Sequence, residues 1–291
     1  MRLRDAAELV RLPAALTVPG DVLAGTVAAG APLGRRGWAL PAASVAFYTA
    51  GMALNDYADR DLDRVERPER PIPSGRVVPG QALGLAAALT AAGLGLAAAC
   101  GGRSTLRVAV PLAATAWAYD LRLKDTAFGP AAMAAARGLD VLMGSGGSRR
   151  ALAAAVLPAA ALAAHTGGVT TLSRGEVHGT EPAVARAVTA STTAVALGVA
   201  AGALRRGEGR LARATSLGLA TLFAGTVGRA QAAAATNPDA ATVRTATGAG
   251  IRGMIPLQAA LLARSGSPAL AAGVLAAAPV ARLASRVVSP T

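Results

Sequence analysis

The sequence predicts an all-α fold: a multi-spanning membrane bundle of nine or ten transmembrane helices in a single unit over residues 1–291. Three observations carry that expectation. Of the 291 residues, 53% are hydrophobic and the mean hydropathy is +0.44, too apolar for an ordinary soluble domain. The apolar residues are gathered in long blocks rather than in alternation. Ala, Leu, Val and Gly fill those blocks, and small residues let membrane helices pack closely.

About 20 apolar residues cross a bilayer. On that measure the spans fall near 13–32, 38–57, 81–100, 104–120, 127–146, 151–172, 183–204 and 211–234, with one or two more near 246–264 and 268–288. Pro and Gly inside several of them predict kinks, which neighbouring helices cover. The first stretch contains Asp21 and is followed by further spans, so insertion without a cleaved leader is expected. The connections are short except 58–80, which holds Arg60, Arg64, Arg67, Arg70 and Arg76, and the polar stretch 173–182. Together with Arg2, Arg4 and Arg11, the basic loop predicts a cytoplasmic N-terminus and an integral protein of the cell membrane. Arg35, Arg36, Arg149, Arg150, Arg205 and Arg206 fall on the other side and weaken the asymmetry.

The net charge of +13 raises nucleic acid as a partner. The basic residues are spread through gaps between apolar blocks, with no compact basic domain, so no nucleic-acid partner is expected and membrane lipid is. Cys100 is the single cysteine and lies in an apolar block. That excludes an internal disulfide and a Cys/His metal cluster.

Six of the sixteen acidic residues lie between positions 56 and 69. Asn55, Asp59 and Asp63 are spaced i, i+4, i+8, nearly one helix face about 12 Å long at ~1.5 Å per residue. Stacked carboxylate and amide oxygens are hard ligands that suit Mg²⁺ shared with substrate phosphates. Carboxylates deep in a span cost roughly 2.5–3.5 kcal/mol each, and like charges one turn apart repel. The stack therefore needs cations or a water-filled cavity, hence a bundle around a central polar cavity. A solvated helix end with arginine partners is the alternative at this point. The chain continues Glu66-Arg67-Pro68-Glu69-Arg70-Pro71-Ile72-Pro73-Ser74-Gly75-Arg76, a stiff, turn-rich loop. Its guanidinium groups suit phosphate oxygens, which makes a diphosphate clamp with the acidic face.

The run from Asn55 to Arg76 resembles the first motif of the UbiA superfamily of intramembrane prenyltransferases. Leu9-Val10-Arg11-Leu12-Pro13, with Gly20-Asp21 and Gly25, is similar to that family's opening, and the span pattern agrees along most of the chain. The resemblance implies that Asn55, Asp59 and Asp63, supported by Asp56, hold Mg²⁺ and the diphosphate of an isoprenoid donor. Tyr119-Asp120-Leu121-Arg122-Leu123-Lys124 resembles the family's Tyr-x-x-x-x-Lys element. Lys124 is the only lysine against 28 arginines, and a compact ammonium suits a phosphate oxygen. Arg137 and Asp140 sit where the family places an Arg-Gly-Leu lining its cavity. They could also simply pair with each other, at i, i+3.

One region departs from the pattern. The family's second aspartate-rich motif falls here on His165–Gly179, which contains no aspartate. Glu176 offers the only carboxylate, Ser173, Thr170 and Thr171 neutral oxygens, and Arg174 a positive charge in place of a second metal. His165 and His178 could be donors or ordinary polar residues at a helix end. The divergence is similar to that of UbiA-like proteins of the Ebo cluster.

The expected reaction is Mg²⁺-dependent transfer of an isoprenyl group from a prenyl diphosphate to an aromatic or other small lipophilic acceptor. Asp59, Asp63, Lys124 and Glu176 are the expected catalytic groups. Arg67, Arg70, Arg76, Tyr119, Lys124, Arg137, Asp140, Ser173 and Arg174 are the expected substrate contacts. Tyr57, Trp117 and Tyr119 are candidates to face an allylic cation, and Asp140 or Glu176 to accept a proton. The missing second motif keeps a non-catalytic lipid-diphosphate binder, or a transport or assembly partner, as the alternative. An ion-coupled transporter would want acids in several mid-span positions. The aspartate pattern of CDP-alcohol phosphatidyltransferases is absent.

Overall fold

The computed structural model of the protein describes residues 2–11, 15, 18–31, 34, 38–205 and 208–284. Among these there are helices and turns but no strand. In chain order the helices are α1 (Leu3–Leu9), α2 (Pro19–Ala28), α3 (Ala39–Ala58), α4 (Arg60–Glu66) and α5 (Pro79–Ala118), which runs into a π-helical turn at Tyr119–Leu123. There follow α6 (Gly129–Gly144), α7 (Arg149–Ser173), α8 (Pro182–Arg205) and α9 (Arg210–Phe223). A second π-turn at Ala224–Gly228 joins α9 to α10 (Arg229–Thr236), before α11 (Ala240–Arg264) and α12 (Pro268–Ala284). Leu12, Pro13, Arg35, Arg36, Arg206 and the end of the last expected span, 285–288, lie outside the described residues.

Among the described residues three helical stretches are long and apolar enough to cross a membrane: Pro79–Leu123, Arg149–Ser173 and Pro182–Arg205. Large apolar side chains such as Val110, Val156, Leu197, Leu204 and Ile251 point outward from the bundle. In water such a surface is a liability; against lipid it is the favourable solvent contact.

A straight 40-residue helix would be about 60 Å long at ~1.5 Å per residue, twice the ~30 Å hydrocarbon layer. α5 is not straight. Gly102 has φ 58° and ψ −141°, a conformation a side chain would not tolerate. The chain turns back there, so that Trp117 Nε1 donates to Thr90 Oγ1 at 3.1 Å. The segments expected at 81–100 and 104–120 are therefore the two legs of a hairpin. Leu83, Leu85 and Trp117 then close over Leu54, Ile72 and Val77 below the acidic run.

The centre of the bundle is held by backbone approach more than by bulk. Thr26 Oγ1 donates to the Gly144 carbonyl at 2.8 Å. A Cβ on Gly25 would overlap the Val141 carbonyl, and one on Gly144 the Val22 carbonyl. Neither obstacle is a flexible side chain, so α2 and α6 would have to separate. Gly25→Ala is accordingly expected to lower stability by roughly 1–3 kcal/mol, the usual range for overpacking a tight core. Thermal unfolding in detergent measures it, and an unchanged midpoint would mean that the two helices part without cost.

Candidate active site

The acidic run leaves the bundle along a bent helix. α3 ends at Ala58, Asp59 takes φ −87° and ψ 2°, and α4 begins at Arg60. The i to i+4 hydrogen bonds continue through the bend, from Asp59 N to Asn55 O (2.9 Å) and from Asp63 N to Asp59 O (2.8 Å). The backbone hydrogen bonds expected from the spacing are present, divided between two helices.

Each buried rung has a cation. Asp56 accepts from Arg11 Nη2 at 3.0 Å. Arg70 turns inward, donates to Asp63 Oδ2 at 2.7 Å and lies 3.6 Å from Asp56 Oδ1. Lys124, brought in by the π-turn, pairs with Asp59. Asn55 Nδ2 donates to Asp120 Oδ1 at 3.3 Å, which points the amide nitrogen at the π-turn and leaves its carbonyl oxygen for another partner. Burying carboxylates this way is tolerable only because each charge is matched.

The arginine loop divides its labour. Arg67 is exposed at the end of α4. Arg76 does not fold over the acidic face: it forms a two-pronged pair with Glu8 (2.7 and 2.8 Å), reaches Asp5 at 3.1 Å and donates to the Glu69 carbonyl at 2.7 Å. It thus ties the loop to α1. The Arg76 hydrogen bond holds the Glu8 carboxyl below its ordinary pKa. Such a group contributes stability that is present above its unfolded pKa and lost as the pH falls through its folded value. Between about pH 5 and pH 3, around the ordinary glutamate range, amide exchange in α1 and residues 67–78 is expected to quicken beyond its intrinsic pH dependence. In Glu8→Gln this acid-dependent step should be absent, and a wild-type-like profile in that variant would count against the clasp.

A cavity of about 350 Å³ opens beside the ladder. Ser44, Phe47, Tyr48, Gly51, Met52 and Asn55 of α3 line one wall, a single stripe at helical spacing. From Ser44 to Asn55 that wall runs about 16 Å at ~1.5 Å per residue. Arg11, Tyr119 and Asp120 border the Asn55 end by their contacts with α3 and the π-turn; Leu112, Met133 and Ala136 give the middle apolar character. Arg137 and Asp140 belong with Ser44. Of the three aromatics expected to face a cation, only Tyr119 lines the cavity. The Tyr57 ring is covered by Arg60 at 4.7 Å, and Trp117 is bound into the hairpin.

Arg137 and Asp140 do not pair with each other. Arg137 pairs with Asp21 of α2, fully buried, whose other oxygen accepts from Gln258 Nε2 at 2.7 Å. Asp140 Oδ2 accepts from Ser44 Oγ at 2.6 Å, and its Oδ1 is buried without a partner among the described residues. Partners on α2 and α3 outcompete the i, i+3 neighbour because tertiary packing brings them end-on.

The segment after α7 is arranged differently from a second acidic face. Ser173 Oγ donates back to the Thr170 carbonyl of its own helix at 2.9 Å. Arg174 donates to the carbonyls of Lys124 (3.0 Å) and Thr126, bracing the loop that carries Lys124. The Glu176 carbonyl accepts from Arg244 at 2.5 Å. His165 lies inside the bundle on the Gly250 carbonyl (2.9 Å) and edge-on to Phe223, while His178 is exposed. Among the described residues no group of three or more Asp, Glu, His or Cys side chains is placed to hold a metal ion by itself. The donors at Asn55, Asp59 and Asp63 suit Mg²⁺ in the way that ion is usually bound, through one or two carboxylates with phosphate oxygens and water completing the shell.

Sequence reasoning passed over Asp120, Arg11 as the partner of Asp56, Ser44, and the Asp21–Gln258 pair. Ser44 had a signal: it lies three turns before Asn55 on the same face of α3. Gln258 had none, since nothing in the sequence links it to Asp21.

The UbiA prenyltransferase family profile matches residues 21–236. Digeranylgeranylglyceryl phosphate synthase of Methanopyrus kandleri is 38% identical over 105 residues, 36% of this chain and 38% of that one. The synthase of Ignicoccus hospitalis is 48% identical over 101 residues, 33% of this chain and 32% of its own. The matched segment thus spans well under half the length of these curated relatives. Among solved structures, one concerning digeranylgeranylglyceryl phosphate synthase in membranes superposes with TM-score 0.70 at 17% identity, over 90% of this chain and 98% of that one. A UbiA homologue from Aeropyrum pernix gives 0.62 at 22%, over 82% and 96%. One from Archaeoglobus fulgidus, bound to GPP and Mg²⁺, gives 0.60 at 12%, over 86% and 99%. At these identities the structural likeness establishes the fold.

Proposed function

The chain belongs to the UbiA prenyltransferase family, and from that premise we propose that it catalyses Mg²⁺-dependent transfer of an isoprenyl group from a prenyl diphosphate to a small lipophilic or aromatic acceptor. The observation that carries this reading is the junction of two unlike environments: the Asn55–Asp59–Lys124–Asp120 cluster meets an apolar-walled cavity at one end. A diphosphate and an isoprenoid chain need those two surroundings side by side.

Asn55, Asp59 and Asp63 would hold the cation, which supplies positive charge to the leaving diphosphate when bound. Asp56 acts from behind, fixing Arg11 and Arg70. Lys124 exchanges its contact with Asp59 for a phosphate oxygen, and exposed Arg67 reaches the outer phosphate. Arg76 is assigned to closing the loop on α1 rather than to the diphosphate, and Arg174 to holding the Lys124 backbone. Ser173 and Glu176 keep no donor contact in this assignment. As the carbon–oxygen bond to diphosphate breaks, Tyr119 presents its ring to the allylic cation, the acceptor attacks that carbon from the cavity, and the proton the acceptor loses passes to the departing diphosphate. The bundle is proposed to cross the cell membrane nine or ten times, with the ladder on the cytoplasmic side beside Arg2, Arg4 and Arg11.

A second reading, binding without transfer, is favoured by one observation: the turn after α7 presents no second cation-holding group among the described residues. Purified protein in lipid nanodiscs, given Mg²⁺, prenyl diphosphates of several chain lengths and a panel of acceptors, separates the two. Prenylated product and released pyrophosphate support transfer. Mg²⁺-dependent donor binding without turnover across the panel supports the binder, and absence of donor binding sinks both.

A further inference from the structure

At the far end of the cavity from Asn55, five polar side chains from four helices meet: Asp21 (α2), Ser44 (α3), Arg137 with Asp140 (α6), and Gln258 (α11) behind them. Their hydrogen bonds can be followed atom by atom. Both oxygens of Asp21 are taken, one by Arg137 and one by Gln258. Asp140 Oδ2 is taken by Ser44 at 2.6 Å. Among the described residues Asp140 Oδ1 has no partner, although the residue is only 6% exposed and lines the cavity. A buried carboxylate oxygen left unpaired costs free energy until something donates to it.

The charges at this end add to the same conclusion. Among the described residues Arg137 is the one cation lining this end, and it already faces Asp21 with Asp140 one turn away. Arg11, the other cation on the cavity wall, is bound to Asp56. A ligand group carrying negative charge would meet two carboxylates and one committed guanidinium. An uncharged O–H donor would complete Asp140 and desolvate cleanly.

We infer that the acceptor is an uncharged, hydroxyl-bearing lipophile whose hydroxyl donates to Oδ1 of Asp140, held by Ser44, on the edge of the molecule opposite the attacked atom. The inference rests on the prenyl-transfer reading for the word acceptor. The distance along α3 fixes the orientation. Ser44 lies about 16 Å from Asn55 at ~1.5 Å per residue, so a hydroxyl on Asp140 is too deep to be the group that meets the donor carbon. It is a handle, and Asp140 is a specificity and positioning residue. Acceptors with a carboxylate or phosphate in that place are excluded by the same geometry.

Three probes of one shape test this: an alkyl hydroquinone, its monomethyl ether with the handle blocked, and the benzoic acid that carries a carboxylate in the handle's place. Equilibrium binding to the full chain in nanodiscs should favour the hydroquinone by about 10- to 100-fold over both others, as expected for a hydrogen bond to a buried charged group. Asp140→Asn should erase the preference and raise the acceptor KM while leaving the donor KM unchanged. Ser44→Ala, which frees Asp140 without removing it, should reduce the preference in a protein of normal thermal stability, so the test survives if Asp140→Asn does not fold. Equal affinity for the three probes, no binding of any, preference for the acid, or full selectivity in Ser44→Ala overturns the inference. Binding of a thio-diphosphate donor analogue is measured in the same samples. Acceptor discrimination without donor binding sinks prenyl transfer and keeps the Asp140 site; donor binding without discrimination does the reverse.

Discussion

Asp59→Ala is expected to lower single-turnover prenyl transfer by about a thousandfold, the upper range for removing one electrostatic contact to a transition state. Asp59 stands between Asn55 and Asp63 on the ladder and is the partner of the only lysine in the chain. In the proposed mechanism its loss removes a ligand for the cation and also the partner of Lys124. Two terms that act on the same leaving group fail together, and such losses are not additive. Saturating Mg²⁺ should recover little of the rate, because the missing ligand is not replaced by concentration. The residue sits at the bend between two helices and is not deeply buried, so the thermal midpoint should change little. A rate within tenfold of wild type would remove the ladder from the mechanism.

Arg70→Ala is expected to cost about 3–5 kcal/mol of stability, the usual loss when one partner of a buried ion pair is removed. Its guanidinium lies between Asp63 and Asp56, which are 2% and 4% exposed. Without it, among the described residues, Asp63 has no protein cation and Asp56 keeps only Arg11. Arg70→Lys should recover part of the loss, since an ammonium cannot fork between two carboxylates. Combining Arg70→Ala with Asp63→Asn should be milder than the sum, because the uncompensated charge is then gone. Unfolding in detergent reads all three, and an Arg70→Ala protein as stable as wild type would show that water reaches this pair.

The helical class and the positions of the helices were legible because apolar blocks and their gaps are a one-dimensional signal. The two legs of α5 could be counted but not joined, since the fold-back depends on one glycine conformation at Gly102. The π-turn at Tyr119–Leu123 was not foreseeable from spacing: it shifts Lys124 around the helix toward Asp59. The run itself was readable because its members follow one another at four-residue spacing within eight residues. Arg76 lies away from the ladder for a physical reason. Its side chain could reach either the ladder or α1, and the choice turned on Glu8 and Asp5, 68 and 71 residues away. The Asp21–Arg137–Gln258 set was beyond sequence reasoning for the same cause, with 237 residues between Asp21 and Gln258.

The bend at Asp59 also separates two ways of being held. α3 has apolar side chains sunk in the bundle, whereas the only buried residue of α4 is Asp63, clasped by Arg70. Mechanically, α4 is an outboard limb on one polar clasp, and a divalent ion shared across Asn55, Asp59 and Asp63 would add a rivet across the bend. Amides of residues 60–66 should then exchange with deuterium quickly in ion-free buffer and slowly once Mg²⁺ and pyrophosphate are added together, so that filling the site is felt as stiffness at its rim.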